Sequence, residues 1–179
     1  MTSRSAERLL PTRRAADAPY HTAVVCLGNI CRSPMAEVVL TEKIRRASLA
    51  EQALVVSAGT GDWHVGNPMD RRAAAALTAK GYDASKHRAS EFDPAWFEEC
   101  DLILAMDESN FADIAALRSG DTSRLRMFRD FDPRVDDGAD RDVPDPYYGG
   151  DDGFDTVLAM VQRTAAAIVP ALQAEVARS

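Results

Sequence analysis

Val24-Val25-Cys26-Leu27-Gly28-Asn29-Ile30-Cys31-Arg32-Ser33-Pro34-Met35-Ala36-Glu37 reads as three pieces in a row. They are the end of a buried strand, a tight loop and the first turn of a helix. The run from Thr22 to Leu27 is apolar and β-branched, and Gly28-Asn29 stops it. A short run bounded by turn residues is the pattern of a parallel strand buried on both faces. Ser33-Pro34 opens a helix, because proline at the first helical position loses an N–H that has no partner there anyway. Backbone N–H groups of the loop and helix start can converge on an anion, aided by the positive end of the helix dipole. Gly28 and Asn29 tolerate the left-handed backbone that such a nest requires.

Cys26 stands at the mouth of this nest, and Arg32 closes it in the spacing Cys26-x5-Arg32. A field that holds a dianion also favours a thiolate, the nucleophilic form of cysteine. The planar guanidinium of Arg32 suits two-point contact with phosphate oxygens. Ser33 can donate a hydrogen bond to the sulfur, both as nucleophile and later as leaving group. The plainer alternative is a buried structural cysteine beside a capping serine. The strand–loop–helix setting, with Gly, Asn and Ser in place, weighs against it.

Residue by residue, Cys26 to Pro34 resembles the signature loop of the low-molecular-weight protein tyrosine phosphatases. The resemblance extends, more loosely, over residues 20–177. It implies an α/β, Rossmann-like domain whose four-stranded parallel sheet has the order 2-1-3-4. It also implies hydrolysis of phosphotyrosine monoesters through a phosphocysteine, with Cys26 as nucleophile. Arg32 and the loop residues Leu27, Gly28, Asn29, Ile30, Cys31 and Ser33 would bind the phosphate. Asn29, Ser33, Ser57 and His87 resemble a hydrogen-bonded support beneath the loop, which gives His87 a structural role. Cys31 would either trap oxidised Cys26 as a reversible disulfide or be a small packed thiol, and the two readings stand level. Related protein-arginine phosphatases carry Thr where this chain has Ile30, and the apolar residue favours phosphotyrosine.

Expelling a phenolate calls for a proton donor, and the acidic loop over 130–153 offers many carboxylates. Asp145 in Val143-Pro144-Asp145-Pro146-Tyr147-Tyr148 is the choice, because flanking prolines restrict its backbone. The Asp-Pro-Tyr-Tyr stretch also resembles the family's general-acid loop. Asp136, Asp137, Asp140, Asp142, Asp151 and Asp152 keep open the reading of Asp145 as one more solvated carboxylate. Their spacing fits no EF-hand. Trp63, Tyr147 and Tyr148 are pocket-wall candidates for a long flat substrate, with ordinary packing as the alternative. His21 and His64 have no constellation around them and read as solvent-facing. Cys100 reads as inert core.

The rest of the chain sets bounds. Its 179 residues, 46% hydrophobic and 27% charged, suit one domain with a sizeable core. A formal charge of −7 argues against general binding of nucleic acid or anionic membrane. No apolar run is expected to approach the length of a transmembrane helix. Residues 1–19 are polar, and Arg13-Arg14 is followed by no apolar segment, so a flexible arm rather than a signal peptide is expected before a domain at 20–179. Three cysteines make no disulfide framework, which suits a reducing cytoplasm. No metal-ligand spacing and no cofactor motif is present. The expected partners are phosphotyrosine-containing proteins, and the expected state is a monomer.

Periodicity predicts helices over 34–48, with Glu37 on the outward side, over 69–80, closed by Gly81, over 94–100, over 108–117, capped by Asp107 and closed by Gly120, and over 154–177, the last kinked or broken at Pro170. Strands are predicted over 53–57, 101–106 and 126–128 in addition to the first. Strands alternating with helices indicate a parallel sheet, whose ligands bind at the carboxyl ends of strands. Two rival functions remain. An arsenate reductase needs relay cysteines after the third strand, where this chain has none. A non-catalytic phosphotyrosine-binding module would be expected to lack Cys26 or the acid.

Overall fold

The computed structural model describes residues 9–178. Four parallel strands form one sheet in the order β2-β1-β3-β4. They are β1 (Tyr20–Cys26), β2 (Ala53–Gly59), β3 (Leu102–Ala105) and β4 (Leu125–Met127). In register, Cys26 pairs with Gly59 and Val25 with Ala105, so the strands finish together at one edge. The predicted order is the observed one.

Alternation along β1 builds two cores. Tyr20, Val24 and Cys26 face one side, with Leu102 and Leu104 of β3. That side is covered by α1 (Arg32–Arg46), α2 (Arg71–Ala79) and α5 (Asp152–Ala177). Ala23 and Val25 face the other side with Ile103 and Ala105, under α3 (Trp96–Glu99) and α4 (Glu108–Ala116). Cys100 is fully buried in this second core.

Helix ends differ from expectation in instructive ways. α1 starts at Arg32 and not at Pro34, with Cys31 as N-cap. Pro34 is thus the third helical residue, still in the turn whose N–H groups lack helical partners. The first helical bond runs from Met35 N to Cys31 O at 3.1 Å. α2 closes as predicted on Gly81, at φ +85°, with Tyr82 N reaching Leu77 O and Gly81 N reaching Thr78 O. Asp107 caps α4 by accepting from Asn110 N at 2.7 Å, but that helix ends at Ala116, short of Gly120.

α5 runs through Pro170 without a break. Pro170 and Ala166 are both exposed, so the turn that lacks a helical hydrogen bond lies on the solvent side of the helix. By length and a mean hydropathy of 1.3, α5 is apolar enough to cross a membrane, contrary to the reading of the sequence by eye. Half of that stretch is buried in the domain, and Phe154, Val157, Leu158, Val161, Ile168 and Leu172 pack in the main core.

The arm expected over 1–19 lies partly outside the described residues, at 1–8. Between residues 10 and 14 the chain makes specific contacts with the domain. Leu10 is buried, and Tyr20 Oη donates to Pro11 O at 2.8 Å. Arg14 binds Asp101 Oδ1 through its backbone N–H (2.7 Å) and Cys100 O through Nε (2.9 Å). Arg13 N donates to Glu175 Oε1 at 2.8 Å, tying the segment to the end of α5. A polar stretch looks flexible in sequence, but these polar groups are spent on buried partners.

Candidate active site

The site forms where β1 ends in the middle of the sheet. Cys26 Sγ lies 3.0 Å from Ser33 Oγ and accepts from Asn29 N at 3.3 Å. Arg32 is 3% exposed, and its Nη1 donates to Asp107 Oδ2 (2.5 Å) and to Val143 O (3.0 Å). Its Nη2 stands 3.6 Å from Asp145 Oδ2. Burial works against the Arg32 charge, yet Cys26, Asp107 and Asp145 outweigh it and hold the guanidinium more firmly protonated than usual. Cys31, by contrast, is pushed well up by burial and by the nearby Asp70, Cys26 and Asp145, so it stays a neutral thiol.

Asn29 holds the loop in shape. It sits at φ +55°, the left-handed region that asparagine tolerates better than most. Both hydrogens of its amide are used, on Ser33 Oγ (2.9 Å) and Ser57 Oγ (3.0 Å). Its Oδ1 accepts from Ser90 N at 2.9 Å, and its backbone carbonyl accepts from His87 Nε2 at 2.7 Å. Ser57 in turn donates to Glu37 Oε2, which lies 3.7 Å from His87 Nδ1. Ser33 has one proton and two acceptors in reach, Cys26 Sγ and the Ala58 carbonyl at 3.3 Å.

A cavity of about 330 Å³ opens above the loop. Its floor is Cys26, Leu27, Gly28, Ile30, Cys31 and Arg32; its walls are Trp63, His64, Asp145, Tyr147 and Tyr148. Trp63 is 69% and Tyr148 92% exposed, so the rim stands open, while Tyr147 packs edge-on against Tyr148. Residues 21–178 match the family described as low molecular weight phosphotyrosine protein phosphatase. The chain belongs to that family.

Its relatives agree. A Streptomyces coelicolor low molecular weight protein-tyrosine-phosphatase is 41% identical over 159 residues, covering 88% of this chain and 96% of its own. A Mycobacterium tuberculosis low molecular weight protein-tyrosine phosphatase A is 43% identical over 144 residues, covering 80% and 86%. Among solved structures, an Entamoeba histolytica protein tyrosine phosphatase with Hepes in its active site superposes with a TM-score of 0.80 at 30% identity, covering 87% of this chain and 97% of that one. YfkJ from Bacillus subtilis also superposes at 0.80, with 29% identity, covering 91% and 99%. Family membership makes this chain a protein-tyrosine-phosphatase by relationship, a hydrolase whose substrates are phosphoproteins.

Most of the site residues expected from the sequence line this cavity. Asn29 and Ser33 do not; both are fully buried, with side chains beneath the floor beside Ser57 and His87. Three further residues take part in the site beyond what the sequence suggests. His64, taken as solvent-facing, is a wall residue, with its ring 6.4 Å from that of Tyr147. Glu37, placed outward by helical periodicity, turns in to Ser57. Asp107 was read only as a cap, yet one carboxylate serves both the α4 cap and Arg32. Its position just beyond β3, beside the central strand, was the signal available. Among the described residues, no group of three or more His, Cys, Asp or Glu is placed to hold a metal.

Proposed function

We propose that this phosphatase hydrolyses phosphotyrosine monoesters through a phosphocysteine intermediate. The carrying observation is that Cys26, Arg32 and Asp145 face one cavity, with Asp145 3.6 Å from the guanidinium. Arg32 has committed Nη1 to Asp107 and Val143, which leaves its other donors for phosphate oxygens. Cys26 Sγ attacks phosphorus, the P–O bond to the phenol breaks, and Asp145 delivers the proton that the leaving oxygen takes up. Asp145, now a carboxylate, accepts a proton from water as that water attacks the phosphocysteine. Phosphate leaves, and the returning thiolate is met by the Ser33 hydroxyl. Leu27, Gly28, Ile30 and Cys31 form the cradle, and Trp63, Tyr147 and Tyr148 flank the aromatic ring. Three free, buried thiols suit a reducing cytoplasm.

Hydrolysis of p-nitrophenyl phosphate and phenyl phosphate with excess EDTA tests this. Wild type turns over both. Cys26→Ser binds inorganic phosphate and turns over neither. Asp145→Asn loses about 10²–10⁴-fold on phenyl phosphate. Substantial turnover by Cys26→Ser, or none by folded wild type, would overturn the reading.

A further inference from the structure

Asp145 does not reach its place by itself. Its Oδ1 accepts from the backbone N–H of Tyr147 at 3.1 Å, so its direction follows the Tyr147 peptide. The carbonyl of Tyr147 in turn accepts from Arg72 Nη2 at 3.0 Å. The same guanidinium lies over the Tyr147 ring (5.5 Å to its centroid) and over the Phe154 ring at the start of α5 (4.7 Å). Arg72 is itself fixed by Asp70, from Nε to Oδ1 at 3.2 Å and from Nη2 to Oδ2 at 3.1 Å. Asp70 caps α2 by accepting from Arg72 N (2.8 Å), and its own N–H donates to Ile30 O in the phosphate loop at 2.9 Å.

We propose that Asp70 and Arg72 form a brace joining the phosphate loop to the acid loop, and that Arg72 is a positioning residue for the Asp145 carboxyl. The proposal rests on the reading of Asp145 as general acid. Segments from three parts of the chain meet at one guanidinium: Ile30 through Asp70, Tyr147 directly, and Phe154 by stacking. A planar cation can stack on two rings and hydrogen-bond in its own plane at once, which an ammonium cannot. Proton delivery depends on placement to well under an ångström, so a loosened acid loop loses catalysis before it loses fold.

The test is the dependence of kcat/KM on leaving group, read across aryl phosphates from 2,4-dinitrophenyl to phenyl. A good leaving group needs no acid, and a poor one does. Arg72→Ala is expected to lose about 10-fold or more on phenyl phosphate and little on the dinitrophenyl ester, steepening the leaving-group slope as Asp145→Asn does. On the Asp145→Asn background, Arg72→Ala should add little, because both changes remove one function. Arg72→Lys, which keeps the charge, should reverse less than half of that steepening, and it carries the same comparison if the alanine variant does not fold. An equal loss on every ester, or an additive loss on the Asp145→Asn background, overturns the brace. A flat slope for Asp145→Asn itself overturns the acid reading, and the brace with it. A steep slope there with a wild-type slope in both Arg72 variants overturns the brace alone.

Discussion

Asp107 and Arg32 meet at 2.5 Å although 75 residues separate them. Asp107 is held by its cap on Asn110 N, and Arg32 is held by Asp107. The direction of the Arg32 guanidinium is therefore set by the start of α4, a different layer of the fold. Asp107→Asn keeps the shape and one acceptor but removes a charge-assisted bond to a buried cation, worth about 1.5–3 kcal/mol. Inhibition by inorganic phosphate should weaken by roughly 10–150-fold. An unchanged inhibition constant would show that Arg32 is oriented without Asp107.

Asn29 combines a left-handed backbone with four side-chain and carbonyl partners, so two substitutions separate the two contributions. Both Asn29→Gly and Asn29→Ala lose the amide bonds to Ser33, Ser57 and Ser90 and should be nearly inactive. Glycine relieves the φ of +55° and alanine does not. Urea unfolding should therefore find the glycine variant more stable by ~1 kcal/mol. Equal stabilities would mean that the loop relaxes to another backbone once the amide is gone.

Gly59 is where β2 passes the loop between Cys26 and Arg32. A Cβ there would lie 2.7 Å from the Leu27 carbonyl oxygen and 3.2 Å from Asn29 N, both backbone atoms that no rotamer change can move. Next to it, Thr60 N donates to Cys26 O and Gly61 N to Leu27 O, each at 2.9 Å. Gly59→Ala should cost about 1–3 kcal/mol and lower kcat/KM more than the stability loss alone would, since the strain lands on the loop. Melting and kinetics on the same preparation check this; a stable variant with wild-type kinetics would refute it.

Asp132 fastens the beginning of the acid loop to α5. It accepts from Arg163 Nε (2.7 Å) and Nη2 (2.8 Å), from Arg129 Nε (3.1 Å) and from Arg134 N (3.0 Å). Burial alone would raise its pKa, but these donors win and lower it to about 2. A lowered carboxylate stabilises the fold above its unfolded pKa of about 4 and loses that contribution as pH falls from ~4 towards ~2. The amount is on the order of 2 kcal/mol. Unfolding measured at pH 7, 4 and 3 should show Asp132→Asn less stable at pH 7 and less sensitive to acid than wild type. Parallel pH dependences for the two proteins would assign the acid sensitivity elsewhere.

How much of the site was legible depended on whether its signal was local. Cys26, Gly28, Asn29, Arg32 and Ser33 lie within one strand–loop–helix, so spacing and residue type were enough. Glu37 was misread because periodicity places a residue on a helix face without saying what packs there; Ser57 arrives from the neighbouring strand. His64 was misread because a loop has no periodicity at all, and only the approach of Tyr147 gives it a place in a wall. The contacts of Arg13 and Arg14 are not legible for the same reason, since their partners lie at Cys100, Asp101 and Glu175.

The sequence alone determined the parallel α/β sheet, its strand order through the family resemblance, and the strand–loop–helix that carries Cys26 and Arg32. The strands, the helices and the loop follow from patterns among near neighbours: short apolar runs, helix faces, and a loop that closes within a few residues. The tertiary structure decided what those residues are held by. Asp107 on Arg32, Glu37 beneath Ser57, and Arg72 beneath the acid loop each join segments distant in the chain. Hydrogen bonds and ion pairs act over a few ångströms, and only the packed fold brings such groups that close.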